Sequence, residues 1–318
     1  MEPVKHLHHI TAIAGPPQEN LHFYRDVLGL KLIKQTVNFD DVNTYHFYFS
    51  NKGMDDGTIL TFFPWDTRNR GVKGSGQVGR IAFSVPNGSL ENWKKHLETH
   101  DVIFEESNMF GNRGIIFEDN HTLRLAIVET DEENNDSDIL GFYGVELLSS
   151  QPEATRDTLR NQLGLEELEA TLEFFHLETV GEQRHHIIIP KEAPARGRDG
   201  VGTVHHVAWS MEDDLKQQEW REYLQDEGFH VTDVKDRNYF NAMYMREKGH
   251  VLFEYATDGP GFAVDEPLDA LGQKLMLPEQ YESHREEIER TLPKVDYRRG
   301  LCIFLKQIIC PLRTIKRN

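Results

Sequence analysis

The chain has 318 residues, 28% of them charged and 38% hydrophobic, the proportions of a soluble globular protein. Its net charge of −18 argues against nucleic-acid binding through a broad basic face. There is no apolar leader at Met1-Glu2-Pro3-Val4-Lys5, no run of transmembrane length, and no cysteine besides Cys302 and Cys310. The expectation is a cytosolic chain with no disulfide framework and no stable membrane insertion.

Taken in order, the chain repeats one unit. Residues 6–14 read as a strand, and Gly15-Pro16-Pro17 turns the chain. Residues 20–27 have helical spacing, with Leu21, Tyr24 and Leu28 on one face, and stop at Leu28-Gly29-Leu30. Three apolar strands follow at 31–37, 44–50 and 58–65, completing β-α-β-β-β. A second copy runs through a strand at 77–86 and a helix at 90–99 with Trp93 and Leu97 inward. Its last strands fall at 102–106, 113–117 and 122–128. The third opens Phe142-Tyr143-Gly144-Val145-Glu146-Leu147, has a helix at 153–163 ending Leu163-Gly164-Leu165, and closes near 185–189. The fourth opens Val204-His205-His206-Val207-Ala208-Trp209, has a helix at 215–225 stopped by Gly228, and closes Val251-Leu252-Phe253-Glu254-Tyr255.

The acidic run 131–138 reads as the linker between halves, and residues 190–202 as a second loop. A charged helix is expected at 279–291. Beyond it, 294–318 is basic, with an apolar core at 301–309; it reads as a terminal helix docked on the domain, and no function is drawn from it. The expected architecture is α+β: four βαβββ modules forming two cupped mixed sheets, with a C-terminal helical extension. Residues 1–135 and 136–265 hold two modules each, and 266–318 is the extension.

Aligning the copies turns spacing into a test for chemistry. His9 on the first strand of unit one matches His206 in unit four. The same place is Arg80 in unit two and Gly144 in unit three. Glu254 on the last strand of unit four aligns with Phe62 in unit one, an apolar residue expected to wall the site where a fourth ligand could stand. His9, His206 and Glu254 are therefore the candidate metal ligands, a two-histidine, one-carboxylate set suited to Fe(II), with Mn(II) as the other option. Units one and four should share this metal across one cup, leaving units two and three as a metal-free cup. Thr11, two residues beyond His9, faces the same side, whereas alternation turns His8 and His205 away from it. His46 could line the pocket or pack in the core. His185-His186 reads as structural, because unit three lacks a first-strand partner. Gly74-Ser75-Gly76-Gln77-Val78-Gly79 matches a dinucleotide fingerprint, but a strand follows it where a helix is required.

Four segments together carry a resemblance: Leu7-His8-His9-Ile10-Thr11, Pro194-Ala195-Arg196-Gly197-Arg198, Gly202-Thr203-Val204-His205-His206 and the run from Asp258-Gly259-Pro260-Gly261 to Glu266. Over roughly residues 4–278 the chain resembles the vicinal oxygen chelate superfamily, and within it the ring-cleaving dioxygenases acting on hydroquinones and catechols. The resemblance implies metal binding by His9, His206 and Glu254, with supporting roles for His8, Thr11, His205, Arg237 and Tyr244. It implies an extradiol-type reaction of a small aromatic substrate with O2. The rival readings are a glyoxalase-type metal-dependent lyase or isomerase, and a non-catalytic protein sequestering an aromatic compound. A homo-oligomer is compatible with the sequence.

Overall fold

The computed structural model describes residues 1–65, 67–134 and 136–297, so most of the basic tail, including the apolar run 301–309, lies outside the described residues. Unit one comprises β1 (Leu7–Ala14), α1 (Pro17–Leu21), β2 (Lys31–Asn38), β3 (Asp41–Ser50) and β4 (Ile59–Pro64). Unit two comprises β5 (Gln77–Val85), α2 (Leu90–Thr99), β6 (Phe104–Ser107), β7 (Gly114–Glu118) and β8 (Arg124–Glu129). Unit three comprises β9 (Gly141–Leu148), α3 (Pro152–Asp157), β10 (Glu166–Ala170), β11 (Phe174–Glu178) and β12 (His186–Pro190). Unit four comprises β13 (Thr203–Met211), α4 (Asp214–Asp226), β14 (Lys235–Asp236), β15 (Phe240–Arg246) and β16 (Leu252–Pro260).

The repeat extends to fine detail. Both α1 and α3 run on into a π-turn, His22–Val27 and Thr158–Gln162. Each then stops on a left-handed glycine, Gly29 (φ 73°) or Gly164 (φ 76°). At that φ a side chain would be strained, so glycine ends the helix and lets the next backbone N–H reach back into it: Leu30 to Tyr24 O at 2.9 Å, Leu165 to Leu159 O at 3.0 Å.

The strands form two eight-stranded mixed sheets, ordered β14-β15-β16-β13-β1-β4-β3-β2 and β10-β11-β12-β9-β5-β8-β7-β6. Units one and four share the first sheet, and units two and three the second, the pairing expected from the ligand positions. In each, the two first strands run antiparallel at the centre, β1 on β13 and β5 on β9, and each last strand lies parallel beside its own first strand. One face of each sheet is apolar and packs with the helices into a shared core that includes Leu60, Phe62, Phe253, Tyr255, Ile127 and Ile187. The other face curls into a cup.

Among the described residues, the single helix expected at 279–291 is broken in two, α5 (Glu279–Glu282) and α6 (Arg285–Thr291). The C-terminal segment wraps the edge strand β2. Met276 N donates to Gln35 O at 2.9 Å, and the buried Lys34 ammonium lies 2.5 Å from both Asp265 and Glu266. An open sheet edge invites pairing with other chains, and this segment covers it.

Candidate metal centre

Because strand side chains alternate, the residues of β16 divide cleanly: Phe253 and Tyr255 enter the core, while Glu254 enters the cup. Central antiparallel pairing of β1 and β13 then sets His9 and His206 side by side. Their Nε2 atoms are 3.1 Å apart, and Glu254 Oε2 lies 2.9 Å from His206 Nε2 and 3.7 Å from His9 Nε2. These three residues are the metal-capable cluster among the described residues, and all three are buried.

Both oxygens of the Glu254 carboxylate are buried without a hydrogen-bond partner, at 1% side-chain exposure. Burial pushes its pKa up, but the charges the two imidazoles would carry hold it well below the usual carboxylate range. Neither oxygen has a well-aligned donor, and the near neighbour of Oε2 is the His206 imidazole at 2.9 Å; a buried carboxylate held this way is costly unless positive charge meets it. Burial also lowers the His206 pKa, keeping a lone pair available on the imidazole. The donor set thus fits a divalent metal with open coordination positions.

His8 and His205 do not turn away from the site as strict alternation would have them. The β1–β13 pairing shifts register twice, between Leu7 and His9 on one strand, and opposite Thr11/Ala12 on the other. His8 and His205 each occupy a bulge, which re-aims a side chain that a regular strand would point away. His8 Nδ1 then lies 2.8 Å from His9 Nδ1, and His205 Nδ1 lies 2.7 Å from His206 Nδ1. Burial, with the neighbouring imidazole second, lowers the His8 pKa to about 3 and that of His205 to about 4. Both are neutral near pH 7. If Nε2 of each ligand faces the metal, its Nδ1–H donates to the preceding histidine, fixing tautomer and ring orientation. The two outer histidines differ in one respect. His205 lines the cavity that holds the triad, whereas His8 lines a separate cavity, divided from the first by the Phe240 ring.

The triad cavity has a volume of about 380 Å³, within the range of small-ligand sites. Phe39, Phe63, Trp65, Phe240 and Leu252 supply its apolar wall. Thr11, Tyr244 and Arg237 line it too. Arg237 Nε donates to the Tyr244 hydroxyl at 3.3 Å. Burial, followed by the Glu254 charge, pushes the Tyr244 phenol well above its ordinary pKa, so it is a proton donor rather than a phenolate.

The expectation for Phe62 is wrong. Glu254 pairs with Ala208, two residues past His206; two residues past His9 is Thr11, and its partner on β4 is Thr61. The counterpart of Glu254 in unit one is therefore Thr61. Phe62 points the other way, into the core, with its ring 4.3 Å from that of Tyr24. A slip of one residue exchanges the faces of a strand. Thr61 Oγ1 lies 2.8 Å from Thr11 Oγ1 and 2.8 Å from His46 Nε2, and His46 Nδ1 lies 2.9 Å from the Tyr48 hydroxyl. So the fourth ligand position holds a hydroxyl, joined to a buried imidazole whose pKa burial holds well below normal. His46 is the site residue the sequence left undecided. The signal that could have found it is its place on β3 two residues before Tyr48, the partner of Thr61, which puts it on the same face.

The two halves of the chain, residues 6–127 and 142–255, match the Glyoxalase/Bleomycin resistance protein/Dioxygenase superfamily, and the chain belongs to that family. Within it, the chain is 49% identical over 296 residues to MhqO of Bacillus subtilis, which carries the name of a ring-cleaving dioxygenase; the match covers 90% of this chain and 95% of MhqO. It is 29% identical to the chlorohydroquinone/hydroquinone 1,2-dioxygenase of Sphingobium indicum, covering 92% and 97% of the two chains. A Bacillus subtilis crystal structure described as a dioxygenase superposes with a TM-score of 0.90 at 47% identity, covering 94% of this chain and 99% of that one. Maize glyoxalase I shares the fold alone, at a TM-score of 0.61 and 8% identity over 80% of this chain and 92% of its own.

Proposed function

We propose that this chain is a metal-dependent, extradiol-type ring-cleaving dioxygenase of the cytosol, acting on hydroquinone- or catechol-like rings with O2. The observation that carries the reading is the buried Glu254 carboxylate converging with two imidazoles at the floor of an aromatic-walled cavity. His9, His206 and Glu254 would hold Fe(II), with Mn(II) the other candidate. When bound, such a metal supplies a Lewis acid for a ring hydroxyl and a redox partner for O2.

The chain's own residues do the rest. The aromatic wall takes a flat ring and excludes water from it. His205, accepting at Nδ1 from His206, keeps an Nε2–H to donate within the cavity it lines. His46, neutral and hydrogen-bonded through both ring nitrogens to Thr61 and Tyr48, fixes the Thr61 hydroxyl in place. Tyr244 and Arg237 offer donors to oxygen atoms on which negative charge builds. His8 acts only through His9, as its orienting partner. Thr61 in place of a fourth carboxylate weighs against glyoxalase-type chemistry, because it leaves coordination positions open for two reactants.

Anaerobic loading with Fe(II) or Mn(II), then oxygen uptake with hydroquinone and catechol and mass analysis of product formed under ¹⁸O2, tests the reading. The expected product is ring-opened and carries both labelled atoms. In Glu254→Ala, bound metal and uptake should fall together, uptake by more than about 100-fold. Absence of uptake with every metal and ring, or full metal occupancy in Glu254→Ala, defeats it.

A further inference from the structure

The sheet of units one and four ends in β14 at one edge and β2 at the other. Curling brings the turns beside these edges together over the cup. Arg237, between β14 and β15, reaches Asp40, between β2 and β3: Nη2 to Oδ2 is 3.0 Å, across 197 positions of sequence. The same guanidinium donates through Nε to the Tyr244 hydroxyl, and its centre lies 5.7 Å from the Tyr244 ring centroid. Asp40, Arg237 and Tyr244 all line the cavity that holds the three candidate ligands.

The Asp40 side chain is 65% exposed, and an exposed ion pair contributes only about 0–1 kcal/mol to stability. Its consequence is directional. An arginine fork is planar and rigid, so tying Nη2 fixes where Nε points. With Nε–H held on the phenol oxygen, Tyr244 accepts on that side, and its own proton must be directed elsewhere.

We propose that Asp40 is a positioning residue: it clasps Arg237 across the mouth of the cup and thereby aims the Tyr244 hydroxyl. Asp40 makes no hydrogen bond or ion pair with His9, His206 or Glu254; its side-chain ion pair is with Arg237, and it acts through that residue. Only the kinetic part of the test depends on the ring-cleaving reading.

The test compares Asp40→Ala, Asp40→Glu and Asp40→Ala in an Arg237→Ala background. In metal-free protein, the ¹H–¹⁵N signal of the Arg237 Nε–H, assigned with Arg237→Lys, should exchange with water at least about tenfold faster in Asp40→Ala and return towards the parent in Asp40→Glu. In metal-loaded protein, kcat on hydroquinone should fall by about tenfold in Asp40→Ala, with KM within about threefold. The thermal midpoint should stay near that of the parent, and Asp40→Ala should cost nothing further once Arg237 is Ala. Unchanged Nε–H exchange, or an equal loss of kcat in the Arg237→Ala background, overturns the clasp. A parent chain that cleaves no ring defeats the proposed function instead, and the exchange measurement still decides the role of Asp40.

Discussion

The molecule builds the same cup twice and arms one of them. Both sheets have antiparallel first strands at the centre, and both carry a bulge on each of those strands. In the first cup the bulged residues are His8 and His205. In the second, register shifts between Val78 and Arg80 and opposite Ala82/Phe83 put Gly79 and Tyr143 in the same places. The candidate ligand positions His9, His206 and Glu254 become Gly144, Arg80 and Ala126, and Thr61 becomes Ile188. Phe110, from the turn before β7, then packs with Tyr143, Ala126 and Ile188 to fill the second cup. So the bulges belong to the scaffold, and chemistry depends on what stands in them. The second cup could not be armed by restoring one residue. A Cβ added to Gly144 would lie 2.0 Å from the His186 carbonyl oxygen, so β9 and β12 approach too closely for any side chain there.

Thr61→Glu should break the asymmetry most severely, because it gives the first cup the fourth carboxylate that a symmetric pair of units would supply. The new group would occupy a coordination position that ring or O2 requires and would remove the partner of His46. Metal content should stay near that of the parent, while oxygen uptake falls by on the order of 100-fold. Uptake like that of the parent would mean that Thr61 does not face the metal. Phe110→Ala probes the other cup. Emptying its centre should cost about 3 kcal/mol in urea unfolding, with metal content and activity of the folded protein unchanged. Loss of metal in that variant would show that the two cups are not independent.

Most of the fold could be read from the sequence because the repeat is long and its punctuation is strong. The Leu-Gly-Leu stops of units one and three mark equivalent places in the chain, and the apolar runs between them are strand-like. The three candidate ligands could be read for the same reason: equivalent strands make ligands stand out as departures from an apolar pattern. The supporting residues could not. A bulge depends on how two strands pair, so the orientation of His8 and His205 is set by partner residues far away in the sequence, Ala208 and Trp209 for His8 and Thr11 and Ala12 for His205, and period-two alternation misplaces both. His46 sits in an aromatic strand, where packing and chemistry leave the same pattern. The Phe62 error has another source, because Ile59-Leu60-Thr61-Phe62 and Val251-Leu252-Phe253-Glu254 are both apolar runs, and composition does not specify their register.

The smallest expected effect sharpens the comparison at that register. Phe62 is fully buried behind the cup, packed on Tyr24 and Phe49, while Phe63, its neighbour, lines the cavity. Phe62→Leu removes ring contacts in the core without touching the site. It should lower stability by about 1 kcal/mol and leave kcat/KM for hydroquinone within about twofold. Phe63→Leu takes the same chemical step on the opposite face of the same strand. It removes a ring that meets both His46, at 4.4 Å, and His205, at 5.9 Å. Its KM for the aromatic substrate should rise by roughly threefold to tenfold, the value of one lost aromatic contact, with little change in unfolding free energy. The pair is measured by urea melts beside steady-state kinetics. If Phe62→Leu raised KM and Phe63→Leu did not, β4 would be out of register by one residue, and Thr61 would lose its place opposite Glu254.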